Sequence, residues 1–126
     1  MNYTNTEHLG TAHREWLNKL DFYKNELLIL DGRLTEIASR NSNMEARTGV
    51  EHFQNQFIVQ RNNIDELKHS INENAHHAFV EVKEHAGHVS SDSVLDYKKM
   101  EDEVLSFEKV MKDLRAEFNL FLAKWM

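Results

Sequence analysis

The chain has 126 residues, of which 40% are hydrophobic and 29% are charged, and its formal net charge is −6. This length suits a single domain, residues 1–126, with one modest core. The negative charge argues against nucleic acid binding, which needs clustered Lys and Arg, and no apolar run is long enough to span a membrane.

The first predicted helix covers residues 5–41. Thr4 and Glu7 have the spacing of a capping box at its start, and the polar residues 41–43 end it. Ser42 and Glu45 repeat that spacing, which predicts Ser42 as the N-cap of the next helix. Apolar side chains recur at alternating steps of three and four residues, and this stripe contains Leu9, His13, Trp16, Leu20, Tyr23, Leu27, Leu30, Leu34 and Ile37.

The second predicted helix covers residues 44–87, and Gly87 is typical of a helix C-terminus. Its stripe contains Val50, Phe53, Phe57, Gln60, Ile64, Leu67 and Ile71, and continues after a shift of phase with Ala75, Ala78 and Val82. A break near residues 72–74 would divide this helix and give a four-helix bundle. That arrangement is the alternative to a continuous helix.

The third predicted helix covers residues 92–125, and residues 90–93 are expected to supply its N-cap. It has the most regular stripe of the three helices. The stripe contains Tyr97, Met100, Val104, Phe107, Met111, Leu114, Phe118, Phe121 and Trp125. A 3.5-residue period held over four heptads indicates helices that pack along one another. Because the connections are short and the chain has no proline, we expect an all-α, long antiparallel up-down-up three-helix bundle.

Six of the eight histidines gather at one end of this bundle, where the first helix begins and the second ends. They are His8, His13, His76, His77, His85 and His88. Imidazole and carboxylate groups are ligands of zinc and of non-haem iron. His13 occupies a stripe position, so it is either a hydrogen-bonded core residue or a ligand of a divalent metal ion. If His13 is a ligand, we expect a mononuclear metal site formed by His13, His77, Glu81 and Glu101.

Four apolar residues fall on outward positions near the middle of the bundle. Phe22 and Ile29 are seven residues apart on the first helix, and Ile58 and Val59 lie on the second helix at the level of Ile29. Exposed apolar patches usually mark protein contacts. The pattern therefore predicts an interface for self-association as a homodimer, or for binding a partner helix.

Motifs of catalysis are absent from the sequence. It contains neither a Gly-x-Ser-x-Gly nucleophile motif nor a glycine-rich phosphate loop, so we assign no catalytic or cofactor-binding residues. The polar first residues and the lack of cysteine favour a cytoplasmic protein. The leading hypothesis is a non-enzymatic association protein, and the alternative is a metal-binding bundle.

Overall fold

A computed structural model describes the backbone of residues 6–84 and 91–126, and the side chains of residues 10–80 and 94–126. The expected caps at Thr4 and Gly87 and the side chains of residues 90–93 lie outside the described residues. Within the described residues, no helix is long and apolar enough to cross a lipid bilayer.

Three long helices make up the described chain. Helix α1 covers Thr6–Arg40, α2 covers Met44–Glu84 and α3 covers Ser91–Trp125, and each contacts the other two. The helices alternate in direction along the chain, so α1 and α3 run parallel with α2 antiparallel to both. The predicted up-down-up three-helix bundle is confirmed.

Helix α2 continues without a break through residues 72–74, so the four-helix alternative is wrong. Neither proline nor glycine interrupts the hydrogen-bonded backbone there. Ile71 is fully buried and Asn74 and Ala75 are half-buried, so side chains of this segment still contact the other helices. Continued burial favours an intact helix over a break.

Two asparagines organise the first turn. The side-chain amide of Asn41 donates hydrogen bonds to the carbonyl oxygens of Ile37 and Trp125, both at 3.0 Å, which joins this turn to the end of α3. Asn43 is the N-cap of α2, because its side-chain oxygen accepts a 2.9 Å hydrogen bond from the backbone N–H of Ala46. The prediction that Ser42 caps this helix is wrong by one residue.

The predicted stripes form the core. Nearly all of their described members are buried, and the remainder are partly buried residues such as Tyr23, Leu67 and Tyr97. The two polar stripe residues, His13 and Gln60, are also buried. Gln60 accepts a 3.2 Å hydrogen bond from the side-chain amide of Asn63, which offsets part of the cost of removing it from water.

The end of the bundle at the first turn is filled by aromatic rings. Phe53 contacts Phe57, Phe118 and Phe121, with ring centroids 5.1–6.1 Å apart. Helices α2 and α3 approach closely here, because Gly49 leaves room for the ring of Phe121. All four of these rings belong to the stripes that the sequence predicts.

Replacing Gly49 and Gly32 with alanine should have opposite effects on stability. A methyl group at Gly49 would overlap the ring of Phe121, so Gly49→Ala should lower the free energy of unfolding by about 1–2 kcal/mol. Gly32 is an exposed residue of α1 with no atom near the added methyl group, so Gly32→Ala should raise it by about 0.5–1 kcal/mol. Urea unfolding of both variants checks the pair, and a stabilised Gly49→Ala protein would contradict the close approach.

Candidate functional site

The middle of α2 presents an unusual surface for this protein. Residues 53–64 contain one charged residue, Arg61, although 29% of the whole chain is charged. Most of the exposed polar side chains in this segment are amides. The segment also contains two aliphatic side chains, Ile58 and Val59, which are 48% and 47% exposed. Depletion of charge around exposed aliphatic groups is typical of the centre of a protein interface.

Helix α1 adds two aliphatic side chains at the same height. The Lys24 ammonium group donates a 3.1 Å hydrogen bond to Asp65, which fixes how α1 and α2 align. Leu28 and Ile29 follow Lys24 by about 6–8 Å along the axis, and Ile58 precedes Asp65 by about 10 Å. These residues therefore lie within about 5 Å of one height, and Ile29 is 66% exposed.

Helix α3 contributes Val110 to the same level. Val110 and Gln60 line one groove between α2 and α3, so Val110 lies beside the position of Val59. Its side chain is also exposed. We call the four residues Leu28, Ile58, Val59 and Val110 the mid-length surface.

The mid-length surface is centred on α2 and extends to both sides of it. Ile58 is seven residues from Asp65, which pairs with Lys24 of α1, so Ile58 lies on the side of α2 that faces Leu28, one turn beyond Lys24. Ile29 lies about 100° from Leu28 and one turn beyond Glu26, which pairs with Arg115 of α3, so Ile29 lies on the flank of α1 that faces α3. Val59 is seven residues from Glu66, which lines the groove with α3. Consecutive helical residues diverge by about 100°, which places these neighbours on opposite flanks.

Phe22 does not share this surface. It is exposed, but it lies two helical turns from Ile29, a distance of about 10 Å along α1. Its ring packs edge to face on Tyr23, with centroids 5.4 Å apart. Of the four predicted interface residues, the structure therefore brings together Ile58 and Val59, and it places Ile29 at the same height on another side of the bundle. The role of all four in binding stays a prediction.

Leu28 and Val110 were not among the interface residues predicted from the sequence. Leu28 belongs to the apolar run Leu27–Leu30, which conceals the fact that adjacent members point in different directions. Val110 is a single aliphatic residue between charged positions of α3. The charge-poor segment 53–64 was visible in the sequence and could have located the surface.

His13 lies inside the bundle, as its stripe position predicts. It is 7% exposed, and its ring meets Trp16 edge to face with centroids 5.5 Å apart. Burial lowers the pKa of the His13 imidazole from its ordinary value of 6.5, because the charged form loses hydration. Near neutral pH the side chain is therefore an uncharged core residue.

The structure describes the side chains of three of the four predicted metal ligands, His13, His77 and Glu101. His77 is exposed on α2, Glu101 is half-buried in the groove between α1 and α3, and the side chain of Glu81 lies outside the described residues. Among the described residues, no three His, Asp or Glu side chains form a group that could hold a metal ion. Metal binding at this end of the bundle stays a prediction.

Comparison of the chain with models of protein families, with curated proteins and with solved structures found no match.

Acidification should destabilise the wild-type protein relative to the His13→Leu variant. Since the pKa of His13 is lowered in the folded state, the unfolded chain binds more protons once the pH falls below about 6.5. The penalty is absent above that pH and grows below it, by up to about 1.4 kcal/mol per pH unit.

Urea unfolding of both proteins at pH 7.5 and 5.5 measures this difference. The other seven histidines are present in both proteins, so most of their effect cancels. A stability difference that does not change with pH would contradict a buried, neutral His13.

Proposed function

We propose that this protein acts by association rather than by catalysis, and that the mid-length surface joins it to a second copy of the chain. The observation that carries this proposal is the grouping of four exposed aliphatic side chains at one height, around a charge-poor segment of α2. The cysteine-free sequence supports our expectation that the protein works in the cytoplasm.

Energetics favour a reversible complex. Full burial of a Val, Leu or Ile side chain contributes about 1.5–3 kcal/mol, and these four residues are already about half-buried. Covering the rest of all eight side chains in a dimer would contribute roughly 9 kcal/mol. Lost translational and rotational freedom opposes this by an estimated 4–15 kcal/mol, so a weak dimer forms when this cost lies near the lower end of that range.

The surface is compatible with twofold symmetry. In an antiparallel pairing of two α2 helices, Ile58 of one copy meets Val59 of the other, and Asn55 meets Asn62. Paired amides supply both donors and acceptors, so no unpaired charge enters the centre. A crossing angle near 50°, common between helices, separates Glu51 and Glu66, which lie two turns from the crossing point.

Ile58→Glu should disrupt the dimer without unfolding the protein. The substitution places a charge at the centre of the surface, where desolvating it costs several kcal/mol, so the dissociation constant should rise at least about 100-fold. Helical content by circular dichroism should stay unchanged, because Ile58 is exposed in the monomer. Sedimentation equilibrium over a wide concentration range measures the change.

Leu120→Glu is the matched control, since Leu120 is 75% exposed and lies about 15 Å along α3 from Val110. This variant should associate like the wild type. A wild-type protein that stays monomeric at millimolar concentration would refute self-association. Equal loss of association in both variants would show that the mid-length surface is not the interface.

A further inference from the structure

The groove between α1 and α3 combines acidic side chains with aromatic rings. It has a volume of about 340 Å³, and its charged lining residues are Glu15, Glu101, Glu108 and Lys19. Three carboxylates against one ammonium group give this lining a formal charge of −2. The groove therefore favours a cation.

One of the three carboxylates is already neutralised. The Lys19 ammonium nitrogen lies 3.2 Å from Oε1 of Glu108, but this oxygen is shielded from solvent and accepts no hydrogen bond from the described residues. Glu15 and Glu101 have no ion-pair partner among the described residues. Two carboxylates, those of Glu15 and Glu101, thus remain for a ligand.

Aromatic rings form the inner side of the groove. Trp16 and Tyr97 lie with their ring centroids 5.1 Å apart, and both line the groove beside exposed Leu105. Trp16 is 6% exposed, so it forms the floor of the groove, and the half-buried Tyr97 is the more open ring. Burial raises the pKa of the Tyr97 hydroxyl, and the charges of Glu101 and Glu15 raise it further, as expected for three groups that line one groove. Aromatic faces attract cations, and they attract planar guanidinium groups in particular.

This combination selects for an organic cation. The carboxylates do not form a group that could hold a metal ion among the described residues, whereas a guanidinium group presents five donors across a wider plane. The groove between α2 and α3 has Glu66 and Glu103 but neither tryptophan nor tyrosine in its lining. The pocket at the first turn contains Arg40 and Arg47 and suits no cation.

We propose that the groove between α1 and α3 binds an arginine side chain presented by a partner polypeptide, with Glu15 and Glu101 as its acceptors and Trp16 and Tyr97 as its aromatic contacts. Leu105 at the rim contacts an apolar residue beside that arginine. This site is separate from the mid-length surface and does not depend on self-association.

The test is an NMR titration with an acetylated, amidated Gly-Leu-Arg-Leu-Gly peptide. The reporter is the indole N–H of Trp16, and Trp125 at the opposite end of the bundle is the internal reference. A peptide with citrulline in place of arginine keeps the shape but removes the charge, and should bind at least tenfold more weakly. Methylguanidinium alone should also bind at least tenfold more weakly, because it lacks the flanking leucines.

Paired variants identify the carboxylates. The double variant Glu15→Gln and Glu101→Gln should weaken peptide binding at least tenfold, whereas the control double variant Glu36→Gln and Glu117→Gln, which removes the same charge outside the groove, should not. Binding to the Ile58→Glu protein should be unchanged, which keeps this result independent of the dimer.

Four results would overturn the proposal. They are no shift of Trp16 at 10 mM peptide, equal shifts of Trp125, equal affinity for the citrulline peptide, and equal losses in the two double variants. Methylguanidinium that binds as tightly as the peptide would overturn the assignment to a polypeptide partner.

Discussion

Each helix of this protein buries one stripe of side chains, and the 3.5-residue period keeps that stripe facing the other two helices along the bundle. Core residues such as Leu20, Leu27, Phe57 and Phe118 are completely buried, yet the core is only one row of side chains per helix. Stability therefore depends on an unbroken register. Ion pairs between neighbouring helices, such as Lys24 with Asp65, are exposed and individually weak, but they agree with the register that the core dictates.

The same constraint determines where a function can lie. A thin bundle has no deep interior cavity to spare, so binding must use the outward helix faces or the grooves between helices. Ordinary outward faces of such helices are charged and solvated. The mid-length surface departs from that rule by its exposed aliphatic residues, and the groove between α1 and α3 departs from it by placing Trp16 and Tyr97 beside carboxylates. Both departures cost solubility or stability unless a partner covers or neutralises them.

The stripes were predictable because burial of one side of each helix requires apolar residues at a 3.5-residue spacing. That spacing can be read from a single sequence. Even the polar stripe residues His13 and Gln60 are buried where the period places them. The cap at Asn43 was missed because Ser42 and Asn43 are both good N-caps, and only the hydrogen bond to Ala46 distinguishes them. The candidate sites were harder to predict, because small offsets along the helix axes determine which residues of two helices lie side by side. Glu101, for example, lines a groove with Glu15 and Tyr97, and the stripe pattern alone did not indicate that grouping.

The two proposed sites are compatible with each other because they use different sides of the bundle. The mid-length surface is centred on α2, whereas the groove between α1 and α3 faces away from α2. Glu15 and Leu28 are also about 20 Å apart along α1. A dimer formed through α2 would therefore carry two open grooves on its outer sides. A partner with two arginine-bearing segments, joined by a linker long enough to span the dimer, would bind more tightly than either segment alone. Once the first segment is bound, the linker holds the second at a high effective concentration near the other groove.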